Sequence, residues 1–182
     1  MQAKTQTQSP PAAPATTEFR KALAQYATGV TIITTRTRDG TPAGITVNSF
    51  TSVSLDPPLV LWSVARSASS FEAFRRSSGW LVHVLAGDQL ALAQRFATRG
   101  ADKFGAATAW AEGPGGLPLI AGCVAWFECS PRSQYDEGDH VILVGRVESF
   151  QAAGGTPLIF HGSRWVTDLA EAPLPRQLLK PW

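Results

Sequence analysis

The pattern of apolar and polar positions along this chain predicts several short strands separated by turn signals. Val30 to Arg36 is almost wholly β-branched and predicts a strand. Arg38-Asp39-Gly40 is a turn signal, so the next strand, from Gly44 to Ser54, is expected to return antiparallel until Pro57 and Pro58 end it. Leu59 to Val64 is continuously apolar and reads as a buried third strand, and Trp80 to Ala86 as a fourth. Further strands are expected at Val124 to Cys129, His140 to Phe150 and Leu158 to Leu169, with Ala153-Gly154-Gly155 as a hairpin connection between the last two.

Helical spacing is confined to three places. Phe19, Leu23 and Tyr26 share one face, with Thr16 or Thr17 as cap and Gly29 as stop. Ser69-Ser70-Phe71-Glu72 has the form of a capping box opening a short helix to about Ser78. Asp88 opens a third helix through Arg95 and Phe96, closed by Gly100. Gly113-Pro114-Gly115-Gly116 is a tight loop. Many strands joined by turns, with two or three helices between them, predict a mainly β fold: an antiparallel closed or split barrel, not a doubly wound sheet.

The 182 residues suffice for one domain with a core, and 44% hydrophobic with 16% charged residues describe an ordinary globule. A net charge of +2 gives no steering toward nucleic acid or an anionic membrane. No stretch approaches the ~20 apolar residues of a membrane span. Residues 1–16, rich in Gln, Thr, Ser, Pro and Ala, read as a disordered tail without the apolar block of a secretory signal. The expected division is a tail over 1–16, a domain over 17–170 and a second tail over 171–182, in a cytoplasmic protein. Cys123 and Cys129 on one straight strand lie about 20 Å apart, whereas a disulfide needs Cα atoms within about 7 Å. Two reduced, packed thiols are expected.

Four segments carry chemistry. In the second strand, alternation puts Thr46, Asn48, Phe50, Ser52 and Ser54 on one face, which is polar for a strand between apolar ones. A flat heteroaromatic ligand would satisfy those groups; on composition alone, a solvent-facing strand of Thr and Ser accounts for them better. Ser63-Val64-Ala65-Arg66-Ser67-Ala68-Ser69-Ser70 sets hydroxyls and an Arg before a helix start. Phosphate binding and a simple capped helix with a solvated Arg are equal readings there. Asp102-Lys103-Phe104 offers a cation and a ring, or a surface pair and a core anchor. Gly138-Asp139-His140 launches a β-branched run and places an imidazole at the mouth of a strand. A lone His in such a place is more often structural than catalytic. His83, inside Trp80 to Leu85, reads as a packed core histidine, and His161 as a weaker candidate near a cofactor.

Taken together, the Gly-Asp-His triplet and the Gly44–Ser54 strand ending in Asp56-Pro57-Pro58 resemble the short-chain flavin reductases, the reductase components of two-component flavin-dependent monooxygenases. The likeness runs from about Phe19 to Leu169. It implies an antiparallel split β-barrel of the Greek-key, FMN-binding type with two or three peripheral helices, usually a homodimer with flavin near the subunit boundary. It also implies an NAD(P)H:flavin oxidoreductase that reduces FAD or FMN by hydride transfer and passes reduced flavin to a separate monooxygenase. On this resemblance Thr46, Val47, Asn48 and Ser49 border the isoalloxazine ring. Ser63, Ala65, Arg66, Ser67, Ser69 and Ser70 meet the ribityl and phosphate groups, with Lys103 and Phe104 as secondary contacts. His140, oriented by Asp139, lines the pocket for NADH or NADPH; no basic cluster for a 2′-phosphate is evident, which tilts toward NADH. The Gly113–Gly116 loop runs into Leu117-Pro118, which prevents a helix, so nicotinamide would not lie in a Rossmann crevice. Two other readings remain: a non-catalytic flavin- or haem-binding split-barrel protein, and an oligonucleotide-binding barrel, which would need a basic stripe with exposed aromatics.

Overall fold

The structure, a computed structural model, describes residues 16–167. Of the N-terminal tail expected over 1–16 only Thr16 falls within it; the tail expected over 171–182 lies outside the described residues. In chain order the elements are α1 (Thr16–Leu23), β1 (Thr28–Gly29), β2 (Thr31–Arg36), β3 (Pro42–Val47), β4 (Thr51–Leu55), β5 (Pro58–Ala65), α2 (Phe71–Arg75), β6 (Trp80–Val84) and α3 (Leu90–Ala97). There follow β7 (Trp110–Glu112), a 3-10 turn (Pro114–Gly116), β8 (Pro118–Ile120), β9 (Ala125–Glu137), β10 (His140–Ala152), β11 (Ile159–His161) and β12 (Arg164–Val166). The mainly β, antiparallel expectation holds. No described helix is long and apolar enough to cross a membrane.

Seven strands form one antiparallel sheet in the order β3-β2-β6-β9-β10-β5-β4. The strand expected from Gly44 to Ser54 is thereby corrected: it is two strands, β3 and β4, at opposite edges of the sheet. The break falls at Asn48-Ser49-Phe50, three residues outside any ladder. A chain that crosses from one edge to the other over so short a link forces the sheet to curl on itself. Ala153-Gly154-Gly155 is likewise not a hairpin turn, because β10 pairs with β5 and β9 while β11 pairs with β1 and β12. The last expected strand is the hairpin β11–β12, turning at Gly162-Ser163.

Two apolar clusters lie on the two faces of β2. Ile33 joins Trp62, Phe74, Trp80, Val82 and Leu143; Ile32 joins Val30, Leu85, Phe96, Ile120 and Leu158. Burying one such large side chain contributes about 1.5–3 kcal/mol. The threonines of β2 are buried because each hydroxyl finds a carbonyl: Thr31 that of Val47 at 3.1 Å, Thr34 that of Pro118 at 2.6 Å and Thr35 that of Gly79 at 2.7 Å. β5 departs from its expected full burial. Val60, Trp62 and Val64 face the core, and the alternate positions Leu59, Leu61 and Ser63 are only half-buried.

The helices form where expected but end differently. α1 stops at Leu23, not at Gly29, and Phe19, Leu23 and Tyr26 are exposed. α2 is a single turn ending at Arg75; Ser70, not Ser69, precedes it and makes no side-chain cap bond, so the capping box is not formed. α3 begins after Gln89 rather than Asp88.

His83 is a fully buried core histidine, as expected. Its Nδ1 lies 3.0 Å from the Ile32 carbonyl, and the Ile120 N–H donates to its Nε2 at 3.1 Å. Only the neutral ring with its proton on Nδ1 satisfies both. Burial, opposed by the Ile32 hydrogen bond, pushes its pKa down to about 4. The folded pKa lies below the unfolded value, so the unfolded chain takes up a proton that the folded chain refuses as pH falls from 6.5 toward 4. Between pH 6.5 and 5 this group alone should cost about 1–2 kcal/mol of stability. Urea midpoints across that range check this, and His83→Asn, which cannot titrate, should flatten the slope.

Candidate functional site

The residues singled out from sequence fall into three groups, all threaded by β3 and its continuation. The first group lines a cavity of about 590 Å³. Ser69 and Ser70 stand on one wall and Lys103 and Phe104 on another, with Gly44 of β3 between them. Lys103 donates to the Gly44 carbonyl at 2.9 Å, which fixes the ammonium against the strand. Burial pulls its pKa down from the usual lysine value. Phe104 packs edge-on against Phe96 and Trp110 and so anchors the Lys103 loop to α3. Gly44 has no Cβ for a reason: one placed there would come within 2.5 Å of the Phe96 ring. The Ser70 hydroxyl is buried without a protein partner. Sequence reasoning missed Arg99 on this wall. Its signal was a second cation four residues before Lys103, across the left-handed Gly100 (φ +75°). α2, with only five residues, has too small a dipole to hold a phosphate at its N-terminus by itself.

The second group is Thr46, Val47 and Asn48. They line a cleft of about 200 Å³ with Val30, Ala97, Phe160 and Trp165. Phe160 and Trp165, T-shaped at 5.2 Å between centroids, make it aromatic on one side. The Thr46 hydroxyl is not free; it donates to the Ala93 carbonyl of α3 at 2.7 Å. His161 is exposed at the end of β11, next to this wall.

The third group gathers where β5 ends and β10 begins. Ser49 crosses the gap between β3 and β5. Its Oγ accepts from the Ser63 N–H at 3.0 Å and donates to the Ser63 carbonyl at 3.2 Å. Ala65 is the register partner of His140, and Ser63 that of Ile142. The hairpin joining β9 to β10 turns through Gly138 and Asp139; Gly138 has φ +60°, the positive value that the first position of a II′ turn requires. Nδ1 of His140 lies 2.7 Å from an Asp139 carboxylate oxygen, with both side chains in solvent. The His140 hydrogen bond, and then its charge, hold the Asp139 carboxyl below the usual carboxylate range. Arg66 belongs to this group. Its Nε donates to the Gly138 carbonyl at 3.2 Å, its Nη2 pairs with Asp136, and its N–H donates to the Asp139 carbonyl at 3.0 Å. Arg66 and Ser67 do not line the cavity of Ser69, Ser70 and Lys103; Ser67 is an exposed turn residue.

Comparison with known proteins places the chain in a family. Residues 23–167 match the flavin reductase like domain. An NADH-dependent FMN reductase of Agrobacterium fabrum is 47% identical over 144 residues, covering 79% of this chain and 81% of the relative. The reductase component of a flavin-dependent trigonelline monooxygenase of Acinetobacter baylyi is 42% identical over 150 residues; the match covers 82% of this chain but only 48% of that protein. Among solved structures, an NADH:FAD oxidoreductase of Streptomyces globisporus, in complex with NAD and FAD fragments, superposes with a TM-score of 0.80 at 35% identity, over 86% of this chain and 94% of its own. This chain belongs to the flavin reductase-like domain family, and its curled sheet is the split barrel of that family.

The Ser49 bridge generates a prediction. Ser49→Ala leaves the Ser63 N–H and carbonyl without a side-chain partner at the seam. The cost should be about 1–3 kcal/mol, read as a lower urea midpoint; a midpoint equal to that of the parent chain would remove Ser49 from the seam.

Proposed function

We propose that this chain is an NADH:flavin oxidoreductase that reduces FAD or FMN and supplies the reduced flavin to a separate flavin-dependent monooxygenase component. The observation that supports it most is the cavity beside β3 lined by Lys103, Arg99, Ser69 and Ser70. That donor set suits a flavin phosphate. The strand it borders leads directly to Thr46, Val47, Asn48 and Ser49, the positions assigned to the ring. A bound flavin supplies the electron-accepting ring to which a reduced nicotinamide delivers hydride. The chain's own task is to hold the two rings close, because proximity supplies much of the rate. In this reading Lys103 and Arg99 neutralise the phosphate, Ser69 and Ser70 donate to it, and His140 flanks the nicotinamide.

The same reading makes the molecule a cytoplasmic homodimer. Its support is the exposed apolar surface: Phe150 is 69% exposed and stacks on Phe127, and Val53 and Leu55 of edge strand β4 are also exposed. NADH is favoured over NADPH by the name of the Agrobacterium relative and the contents of the Streptomyces complex. A non-catalytic flavin-binding barrel would have no use for an imidazole held in solvent by a neighbouring carboxylate, as His140 is, and a haem barrel would need its ligating imidazole inside a pocket, whereas His140 stands at an exposed hairpin tip.

Three measurements test this. Flavin-dependent oxidation of NADH by the purified chain should be rapid; binding of flavin without oxidation would leave the storage reading. Lys103→Met should weaken FMN and FAD about tenfold or more while sparing riboflavin, since a charge-assisted hydrogen bond contributes about 1.5–3 kcal/mol. His140→Ala should raise KM for NADH severalfold and leave flavin titration unchanged; the opposite pattern would move His140 to the flavin.

A further inference from the structure

We infer that Arg66 is a positioning residue for the nicotinamide side of the site, acting through the β9–β10 hairpin rather than on a flavin phosphate. This rests on the reading of His140 as the flank of that site.

The hairpin tip needs a fastener. Asp136, Glu137, Gly138, Asp139 and His140 are all exposed, and the tip is a two-residue loop. On its β5 side the ladder stops at the pair His140–Ala65. The next residue of the chain is Arg66. It takes up the tip with three different donors: the backbone N–H to Asp139, Nε to the Gly138 carbonyl and Nη2 to the Asp136 carboxylate. The Asp139 so held is the residue whose carboxylate orients the His140 ring at 2.7 Å. Arg66 therefore sets the backbone on which the imidazole stands.

Arginine suits this task, because its planar fork holds a carbonyl and a carboxylate at once with little loss of freedom. The guanidinium and Asp136 are both substantially solvent-exposed, so their pair contributes little to global stability. Its consequence is conformational. An unfastened two-residue tip lets the ring drift, and a displacement of about 1 Å at a reacting centre is costly in rate or affinity. With Nε and Nη2 engaged by the hairpin, and with Arg66 off the wall formed by Ser70 and Lys103, a phosphate is not its natural partner.

The test uses the full chain and four variants: Arg66→Gln, Asp136→Asn, the double variant and His140→Ala. Each of the first two should raise KM for NADH about three- to tenfold with kcat within about twofold. The double variant should be no worse than the worse single, because the two side chains form one contact. Melting temperatures and the preference for FMN over riboflavin should be unchanged in all three. Arg66→Lys, which keeps the charge but not the fork, should fall between Arg66→Gln and the parent, and it serves in place of Arg66→Gln if that variant does not fold. A loss of FMN relative to riboflavin in Arg66→Gln, with Asp136→Asn silent, would overturn the inference and make Arg66 a phosphate ligand. Additive effects on KM would overturn it as well. If His140→Ala raises KM while the Arg66 and Asp136 variants do nothing, the positioning role alone fails. If His140→Ala leaves KM unchanged, the nicotinamide reading of the hairpin fails with it.

Discussion

The closure of the sheet at Ser49 is the constraint on which the site depends. β3 and β4 are consecutive in the chain, yet they occupy the two edges of a seven-stranded sheet. Three residues cannot span a flat sheet of that width, so the sheet must curl until its edges approach. Once it has, no regular ladder joins β3 to β5. The Ser49 hydroxyl substitutes for one, serving the N–H and the carbonyl of Ser63 with a single atom. A side chain in place of a ladder leaves the seam open above and below itself. Asn48 is consequently exposed, and Thr46 and Val47, paired to β2 on one side only, line a cleft with it.

One short length of chain thus serves three different surroundings. Gly44 faces Phe96 and the Lys103 ammonium, Thr46 bonds into α3, and Ser49 meets β5 close to the Gly-Asp-His hairpin. Phe96 is fully buried against Gly44 and holds Phe104 edge-on, so the core beneath α3 and the loop carrying Lys103 are one packed unit. The cationic cavity is therefore built on a rigid floor. The imidazole, by contrast, stands on an exposed tip. The chain thus joins a stiffly floored cavity to an exposed hairpin fastened by Arg66.

Much of the sheet was legible because β2 and β10 are rich in β-branched residues and β5 and β6 are short apolar runs. The split of β3 from β4 was not. Period-two alternation says which face a residue occupies but not which neighbour its strand will find, and Asn48-Ser49-Phe50 carries no proline or glycine to mark a break. The length of β9 was hidden for a different reason. Its second half, Ser130 to Glu137, is polar and contains Pro131, so it reads as loop; it is a strand because β10 pairs with it almost end to end. β7 and β8, three residues each, lie below the length at which a pattern exists. In the site, Ser69, Ser70, Lys103 and Phe104 share one cavity; their chemistry alone left a capped helix and a surface pair equally open, and only the family resemblance grouped them. The pairing of Arg66 with Asp136 was not legible because the two are 70 residues apart, and local sequence offered only the serines beside Arg66. The capping box at Ser69 failed by one residue, a slip that short polar runs do not resolve.

The two cysteines acquire a meaning from their burial. Cys123 and Cys129 are reduced, and desolvation drives both thiols up to about 12, aided at Cys129 by the charges of Glu128 and Glu148. Dihydroflavins that escape into aerated solution react with dioxygen and generate hydrogen peroxide, so a protein handling them meets that oxidant at its source. Thiols react with peroxide as the nucleophilic thiolate. Sulfhydryls kept protonated inside the barrel are thereby shielded from the by-product of the barrel's own chemistry.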